Sequence, residues 1–179
     1  MSTQTSDLSL NKPAAGDTDW ASEVNENWEK IDDILQYIST PIFWHLATGE
    51  PDAIGQGTWE NTRDTSVLYN AYFYNMTHND GDNFSLKFRC PKGTYKLRFN
   101  FIKDVDCGIC KVYIDDVQVG VSGGYDGYAA SIQGKNVEEI EGLSLSSGEH
   151  TLKFVVDGKN ASSADYYIEF SGICLQRTA

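Results

Sequence analysis

From Ile42 onward the apolar residues recur at every second position, and this alternation restricts most of the chain to β structure. The clearest runs are residues 84–90 and 95–101, in which apolar residues alternate with serine, asparagine, lysine or arginine. A period of two places one face of each strand on a core and the other in water, as in an antiparallel sheet. Pro91 and Gly93 stand between the two runs, so we predict a turn there.

Further strands are predicted wherever similar runs are bounded by Asn, Asp, Ser or Gly, namely at 67–74, 109–114, 117–119, 127–132, 140–145, 151–156 and 166–175. Gly172 is predicted to mark a β-bulge, because the apolar phase shifts from Ile168 and Phe170 to Ile173 and Leu175. Eight or so short strands without intervening helices indicate an antiparallel sandwich or barrel.

One segment near the start has a helical period instead. We predict an amphipathic helix over residues 18–39, with Gly16, Asp17 and Thr18 supplying its N-cap, and an extended arm before it. Its apolar residues are spaced four, three, four and three apart: Val24, Trp28, Ile31, Leu35 and Ile38. Such a seam is typical of a coiled coil between copies, and the alternative is a helix packed on its own β domain. The predicted division is an arm and helix at 1–40 and a β domain at 41–179.

The formal net charge of −12 argues against two classes of partner. A strongly acidic chain without a basic patch repels nucleic acid and anionic membrane surfaces. No apolar run is long enough to span a bilayer, so no membrane insertion is expected. The first ten residues lack the basic region and apolar core of a signal peptide, so we expect synthesis in a cytoplasm.

Neither metal nor cofactor chemistry is predicted. Cys107 and Cys110 match a C-x-x-C spacing, and with Cys90 and Cys174 they offer an alternative zinc site. They also continue apolar strand phases, which favours buried cysteines that act as small hydrophobes. The three histidines share no ligand spacing. A last alternative, left open, is a calcium-binding loop rather than a plain turn at Asn79, Asp80, Asp82 and Asn83.

Catalysis is not predicted either. Gly120, Ser122 and Gly124 match the G-x-S-x-G pattern of a hydrolase nucleophile, which requires a strand, a sharp turn and then a helix. The residues that follow have no helical pattern, so a glycine-rich loop is the better interpretation. A pair of glycosidase carboxylates has no sequence signature and is neither indicated nor excluded.

A glycan-binding surface is the functional hypothesis that the residue types favour. Sugars present C–H faces to aromatic rings and hydroxyl groups to carboxylates and amides. The candidate residues with this chemistry are Trp59 (followed by Glu60 and Asn61), Tyr72, Tyr74, Tyr125, Asp126 and Tyr128. The alternative for each ring is packing in the sandwich or between subunits.

The first quarter of the chain carries a spaced set of residues: Leu8, Leu10, Lys12, Pro13, Gly16, Asp17, Trp20, Asn25, Asn27, Ile31 and Asp32. This set resembles an attachment module of fibre and fibre-like proteins of tailed bacteriophages. The resemblance implies that Leu8, Leu10 and Pro13 anchor the arm on a neighbouring virion protein. It also implies that Trp20 and the helical seam serve attachment or oligomerisation, as a homotrimer.

The remainder carries strand-and-turn features at 79–82, 93–95, 108–115, 142–152, 157–161 and 166–168. These features resemble jelly-roll domains of phage fibres and, more distantly, carbohydrate-binding modules. The two resemblances together imply a non-enzymatic virion protein: a short fibre, a tail-associated protein or a capsid decoration. Its implied partners are capsid or tail proteins, further copies of itself and a host surface polysaccharide. The alternatives are a stand-alone carbohydrate-binding module and a small hydrolase on a sandwich scaffold.

Overall fold

A computed structural model describes residues 3–4, 11–12, 27, 42–44, 51–62 and 72–178. The chain forms two compact units, Met1–Thr40 and Pro41–Ala179. In the first unit β1 (Thr3–Gln4) and β2 (Asn11–Lys12) pair antiparallel, a pairing that the extended-arm prediction did not include. Asn27 is the one described residue of the predicted helix, and its backbone is helical. The residues predicted to form the helical seam or to anchor the arm all lie outside the described residues: Leu8, Leu10, Pro13, Trp20, Val24, Trp28, Ile31, Leu35 and Ile38.

The second unit contains twelve described strands. They are β3 (Ile42–Trp44), β4 (Ala53–Gln56), β5 (Trp59–Thr62), β6 (Tyr72–Asn75), β7 (Asn83–Cys90), β8 (Gly93–Lys103), β9 (Gly108–Ile114), β10 (Val117–Val119), β11 (Tyr125–Asp126), β12 (Gln133–Leu145), β13 (Gly148–Lys159) and β14 (Glu169–Arg177). Sheet 1 has the order β10-β9-β13-β7-β4, with β11 beside β9. Sheet 2 has the order β12-β8-β14-β6-β5, with β3 beside β14. All pairs between these strands are antiparallel, which confirms the predicted antiparallel β-sandwich of jelly-roll type.

The core between the sheets is dominated by phenylalanine rings. Phe84, Phe99, Phe101, Phe154 and Phe170 are all fully or almost fully buried. Phe84 and Phe154 stack with ring centroids 5.3 Å apart, and Phe154 lies 4.8 Å from Phe170 of the opposite sheet. The alternating burial of β7 and β8 confirms the period of two in the sequence. Burial of these large rings contributes strongly to the hydrophobic stabilisation of the unit.

Two local predictions have different outcomes. The bulge at Gly172 is confirmed, because the register between β14 and β8 shifts between Phe170 and Gly172. The strand predicted at 127–132 is wrong, since this segment is a loop that carries the chain from sheet 1 to sheet 2. Backbone hydrogen bonds from Gly127 to Gly108 and from Ala129 to Asp104 fix the crossing and take the place of ladder pairing.

The long strand β12 forms one border of sheet 2, with no neighbour beyond it among the described strands. Its register with β8 shifts twice, between Gln133 and Asn136 and between Ile140 and Leu143. Ion pairs join Glu138, Glu139 and Glu141 of β12 to Lys96, Arg98 and Lys103 of β8. The border strand is therefore irregular in hydrogen bonding and rich in carboxylates.

Five loops gather at one end of the sandwich, which we call the loop end. They are residues 57–58, 76–82, 104–107, 127–132 and 160–168. The strand ends adjoining them are brought together by the registers of the two sheets. Loops at one end of a rigid sandwich are a common location for binding residues. In the described part of the chain, no helix has the length and apolar character that crossing a membrane requires.

Candidate functional site

The loop 160–168 crosses the loop end and is held in a defined conformation. The backbone N–H groups of Ser162 and Ser163 donate to Asn160, at 2.9 Å to its side-chain and its backbone oxygen. Ala164 donates to the carbonyl of Val105 at 2.9 Å. These bonds stabilise a loop that presents its side chains at fixed positions.

On one side of this loop lies a carboxylate with both oxygens engaged. The Asn160 amide donates to Oδ2 of Asp126 at 2.6 Å, and the backbone N–H of Tyr128 donates to Oδ1 at 2.9 Å. Tyr128 itself is half-buried and lies on the neighbouring loop 127–132. Asp126 and Asn160 therefore form an oriented carboxylate–amide pair next to a partly accessible aromatic residue.

Near the end of the loop 160–168, rings cluster around Tyr167. The ring of His78 lies 4.6 Å from that of Tyr167, and Tyr74 lies 5.4 Å from it. Nδ1 of His78 is 2.9 Å from Oδ2 of Asp165. Burial raises the pKa of Asp165, but hydrogen bonds from His78 and from the N–H of Tyr166 outweigh it and lower that pKa overall. Asp165 is therefore held as a carboxylate.

Burial, followed by the nearby charges of Glu60 and Glu169, raises the pKa of Tyr74. Its hydroxyl therefore stays protonated and can donate a hydrogen bond. The Lys159 ammonium lies 4.8 Å from the ring centroid of Tyr166 and 3.0 Å from the carbonyl of Ala164. The loop end thus combines partly accessible rings with oriented carboxylate, amide and imidazole groups.

The structure separates the predicted glycan-binding residues into two groups. Tyr74, Asp126 and Tyr128 are at or next to the loop end. Trp59 and Tyr125 are core residues, each only 6% exposed. The indole of Trp59 stacks on Phe73, and the rings of Tyr125 and Phe99 form a T-shaped contact with centroids 5.0 Å apart, so both rings are packed in the core. Tyr72 lies in β6, and its side chain is outside the described part of the structure.

Sequence reasoning missed the residues that join the loops, namely His78, Asn160, Asp165 and Tyr167. His78 and Asp165 are 87 positions apart, and Asn160 and Asp126 are 34 apart. Their meeting depends on strand order, which a single sequence does not display. The one available signal was the polar and aromatic composition of 157–168, between two predicted strands.

The loop 79–83, for which the sequence offers a calcium site as an alternative to a plain turn, makes the hydrogen bonds of a turn. Oδ2 of Asp82 accepts from Asn75, Thr77 and the N–H of Asn79, at 3.0, 2.7 and 3.0 Å. Asp80 accepts from the N–H of Gly158 at 2.7 Å. Among the described residues, no group of three or more His, Cys, Asp and Glu side chains is placed to hold a metal ion.

The cysteines are structural residues in the described unit. Cys90, Cys107 and Cys110 are buried, and Cys174 is partly buried. Burial raises the pKa of the Cys107 and Cys110 thiols strongly, which keeps them protonated. Ser122, the predicted loop serine, is followed by the turn to β11 and not by a helix, so the geometry of a nucleophile elbow is not formed here.

Comparison with known proteins identifies the fold of the second unit. No protein-family model and no curated protein matches the chain. A solved structure of a Paenibacillus xanthan lyase matches 79% of this chain, with 19% identity and a TM-score of 0.64. The CBM36-1 domain of a multidomain xylanase from the hindgut metagenome of Trinervitermes trinervoides matches 78%, with 12% identity and a TM-score of 0.53. The jelly-roll unit has the fold of a carbohydrate-binding module.

The Podospora anserina GH26-CBM35 β-(1,4)-mannanase gives a similar match, with 78% of this chain covered, 16% identity and a TM-score of 0.50. The chain covers 99% of the CBM36-1 domain, but only 13% of the xanthan lyase and 28% of the mannanase. At these identities the likeness concerns the fold alone.

Proposed function

We propose that the jelly-roll unit binds carbohydrate at its loop end, as a binding module and not as an enzyme. The observation that carries the proposal is the oriented Asp126–Asn160 pair, which also accepts a hydrogen bond from the backbone of the partly exposed residue Tyr128. The shared fold with carbohydrate-binding modules supports the same ligand class.

The chemistry of the loop end suits a sugar. Partly accessible tyrosines offer apolar faces for the C–H groups of a sugar. Carboxylates accept hydrogen bonds from its vicinal hydroxyls, and amide groups both donate and accept them. Because the Asp126 and Asp165 carboxylates are already oriented by hydrogen bonds, little side-chain entropy is lost on binding. His78 bonds to Asp165 and packs on Tyr167, which assigns its imidazole a positioning role.

The first prediction is that Tyr128→Ala or Asn160→Ala lowers the affinity for polysaccharide about tenfold. Loss of one aromatic contact or one charge-assisted hydrogen bond is worth about 1.4 kcal/mol, which corresponds to that factor. Affinity electrophoresis in gels containing xylan, mannan or xanthan measures the change. The matched control is Tyr113→Ala, since Tyr113 is a half-buried tyrosine of β9 outside the loop end. Equal retardation of all three variants and the unchanged protein would contradict the proposed site.

The N-terminal sequence pattern favours a second part of the proposal. Its resemblance to a phage attachment module supports a virion role, in which residues 1–40 join the jelly-roll unit to a bacteriophage particle, as a homotrimer. The protein is then made in the host cytoplasm, and a host surface polysaccharide is its ligand. The alternative is a stand-alone carbohydrate-binding module, which binds sugar without being part of a virion.

Deletion of residues 2–17 tests the virion role. We expect the deleted protein to keep its circular dichroism and melting temperature, because the jelly-roll core is built from residues 59–175. Incorporation into particles should be abolished, because Leu8, Leu10 and Pro13 are then absent. Quantitative immunoblotting of purified particles measures occupancy, with Leu8→Ala as a milder variant. Full occupancy of the deleted protein would exclude the arm as the attachment device.

A further inference from the structure

A groove runs along one side of the sandwich, away from the Asp126–Asn160 pair. It lies between β4, the border strand of sheet 1, and β5, the border strand of sheet 2. Its volume is about 440 Å³, within the range of small-ligand sites. The described lining residues are Pro51, Asp52, Ala53, Ile54, Trp59, Glu60, Asn61 and Phe73.

The turn that joins the two walls of the groove is held rigidly. The indole N–H of Trp59 donates to the carbonyl of Gln56 at 3.1 Å, and the N–H of Thr58 donates to Thr77 at 3.1 Å. Gly57 has a φ of +83°, and a Cβ at this position would collide with the carboxylate of Asp82. The separation of the walls is therefore set by the backbone and does not require a ligand.

Residues that belong to the core side of both strands remain accessible in this groove. Ile54 is in register with the buried Phe84, yet 47% of Ile54 is exposed. Asn61 is in register with the buried Phe73 and is itself exposed. The groove is thus a notch in the side of the core, with the aliphatic side chain of Ile54 on one wall and an amide on the other.

The charged groups that line the groove in the described structure are both acidic. The N–H of Lys87 donates to Oδ2 of Asp52 at 2.6 Å, which orients this carboxylate. Glu60 is the other acid, and the chain as a whole carries a net charge of −12. Oriented carboxylates accept hydrogen bonds from hydroxyl groups, whereas a uronate or sulfate group would be repelled.

We propose that this groove is a second carbohydrate subsite, specific for uncharged sugar residues. Ile54 and Pro51 contact the C–H face of the sugar, while Asp52 and Asn61 bond its hydroxyls. The inference takes its ligand class from the proposed function, but it concerns separate residues. A polysaccharide chain would then contact the unit at its end and at its side, which raises the affinity through avidity.

Nuclear magnetic resonance titration of the ¹⁵N-labelled full chain separates the two sites. The probes are xylohexaose and mannohexaose, which are neutral, and trigalacturonate, which is anionic. With a neutral probe we expect shifts at the amides of Ala53, Ile54 and Asn61, besides those of Tyr128 and Asn160. Trigalacturonate at equal concentration should leave the groove amides unchanged.

Substitutions test the assignment further. Ile54→Asp should weaken binding in the groove at least tenfold and leave the loop-end shifts intact. Asn61→Ala provides a milder second variant in case Ile54→Asp perturbs folding. The matched control is Val117→Asp, since Val117 is an aliphatic residue of β10 that is 66% exposed and lies at the other border of sheet 1. It should change neither set of shifts.

The outcomes distinguish the two proposals. Shifts at the loop end without shifts in the groove would overturn this inference and leave the proposed function standing. Shifts in the groove alone would support the inference and overturn the loop-end site. Equal binding of trigalacturonate in the groove would overturn the specificity for uncharged sugars. No shift anywhere with millimolar probe would overturn both proposals.

Discussion

Replacing Phe84 with alanine is expected to lower the free energy of unfolding of the jelly-roll unit by about 3–5 kcal/mol. Phe84 is fully buried. Its ring contacts four others, with centroid distances of 4.8 Å to Trp59, 5.0 Å to Phe73, 5.3 Å to Phe154 and 5.6 Å to Phe170. Because these partners come from both sheets, the cavity left by alanine would remove packing contacts between the two layers.

Denaturant unfolding followed by circular dichroism measures this loss. A domain of ordinary stability has a free energy of unfolding of about 5–15 kcal/mol, so the variant would keep only part of its stability. Phe84→Leu is the matched control, since it retains most of the apolar volume and should cost clearly less. Tyr113→Ala on the half-exposed face should have a smaller effect still. A loss below about 1 kcal/mol for Phe84→Ala would contradict the packing described for this core.

The second large effect concerns His150, at the end of the sandwich opposite the loop end. Its ring is only 5% exposed. Nδ1 lies 2.6 Å from Oδ2 of Asp115, and Nε2 lies 3.0 Å from the carbonyl of Ser146. Oδ1 of Asp115 accepts from the N–H of Thr151 at 2.9 Å. Both ring nitrogens thus face acceptors, and only the protonated imidazole can donate to both.

The pKa shifts of this pair fix the direction of the pH dependence. Burial lowers the pKa of His150, but the hydrogen bonds to Asp115 and Ser146 outweigh it, so the pKa is raised above 6.5 overall. Burial raises the pKa of Asp115, and the bonds from His150 and Thr151 outweigh this and lower it below 3.8. The contribution of His150 is complete below about pH 6.5 and is lost as the pH rises through its folded pKa. The contribution of Asp115 is present above about pH 4 and is lost as the pH falls through its folded pKa.

We therefore expect His150→Gln to lower the free energy of unfolding by about 2 kcal/mol near pH 6, and by less near pH 9. The unchanged protein should lose stability between these values, and the variant should lose less. Thermal unfolding across this range measures both slopes. Asp115→Asn should reduce the slope in the same way, and Glu149→Gln, at an exposed neighbouring carboxylate, should leave it unchanged. A variant that keeps the full slope would exclude His150 as its source.

The strands of the core could be predicted because their physical cause is local. In β7 and β8 the residue type indicates directly which face of the sheet a side chain occupies. Apolar side chains at every second position lie on the same face and are buried together. The prediction failed at 127–132, where hydrogen bonds to Gly108 and Asp104, distant in sequence, decide the conformation. The composition of residues 127–132 does not indicate those hydrogen-bonding partners.

The candidate site was predictable only in part, for a related reason. Trp59 and Tyr125 have the residue type of a sugar-binding ring, but strand register turns both rings toward the core. Asp126 and Tyr128 could be identified because they combine a carboxylate and an aromatic ring beside the glycine-rich segment that the sequence predicts to be a loop. His78 and Asp165 meet only because the loops that hold them meet at the same end of the sandwich. Residue type alone indicates chemistry, whereas topology decides access.

The irregular border strand β12 affects how copies of the protein can contact one another at high concentration. A strand of another copy laid along β12 would meet two interruptions of the hydrogen-bonding pattern and a row of glutamates like its own. Sheet 2 therefore resists extension by another copy at its β12 border. Crowded copies are thus discouraged from joining their sheets through β12. A lasting contact between copies is expected on surfaces other than this border.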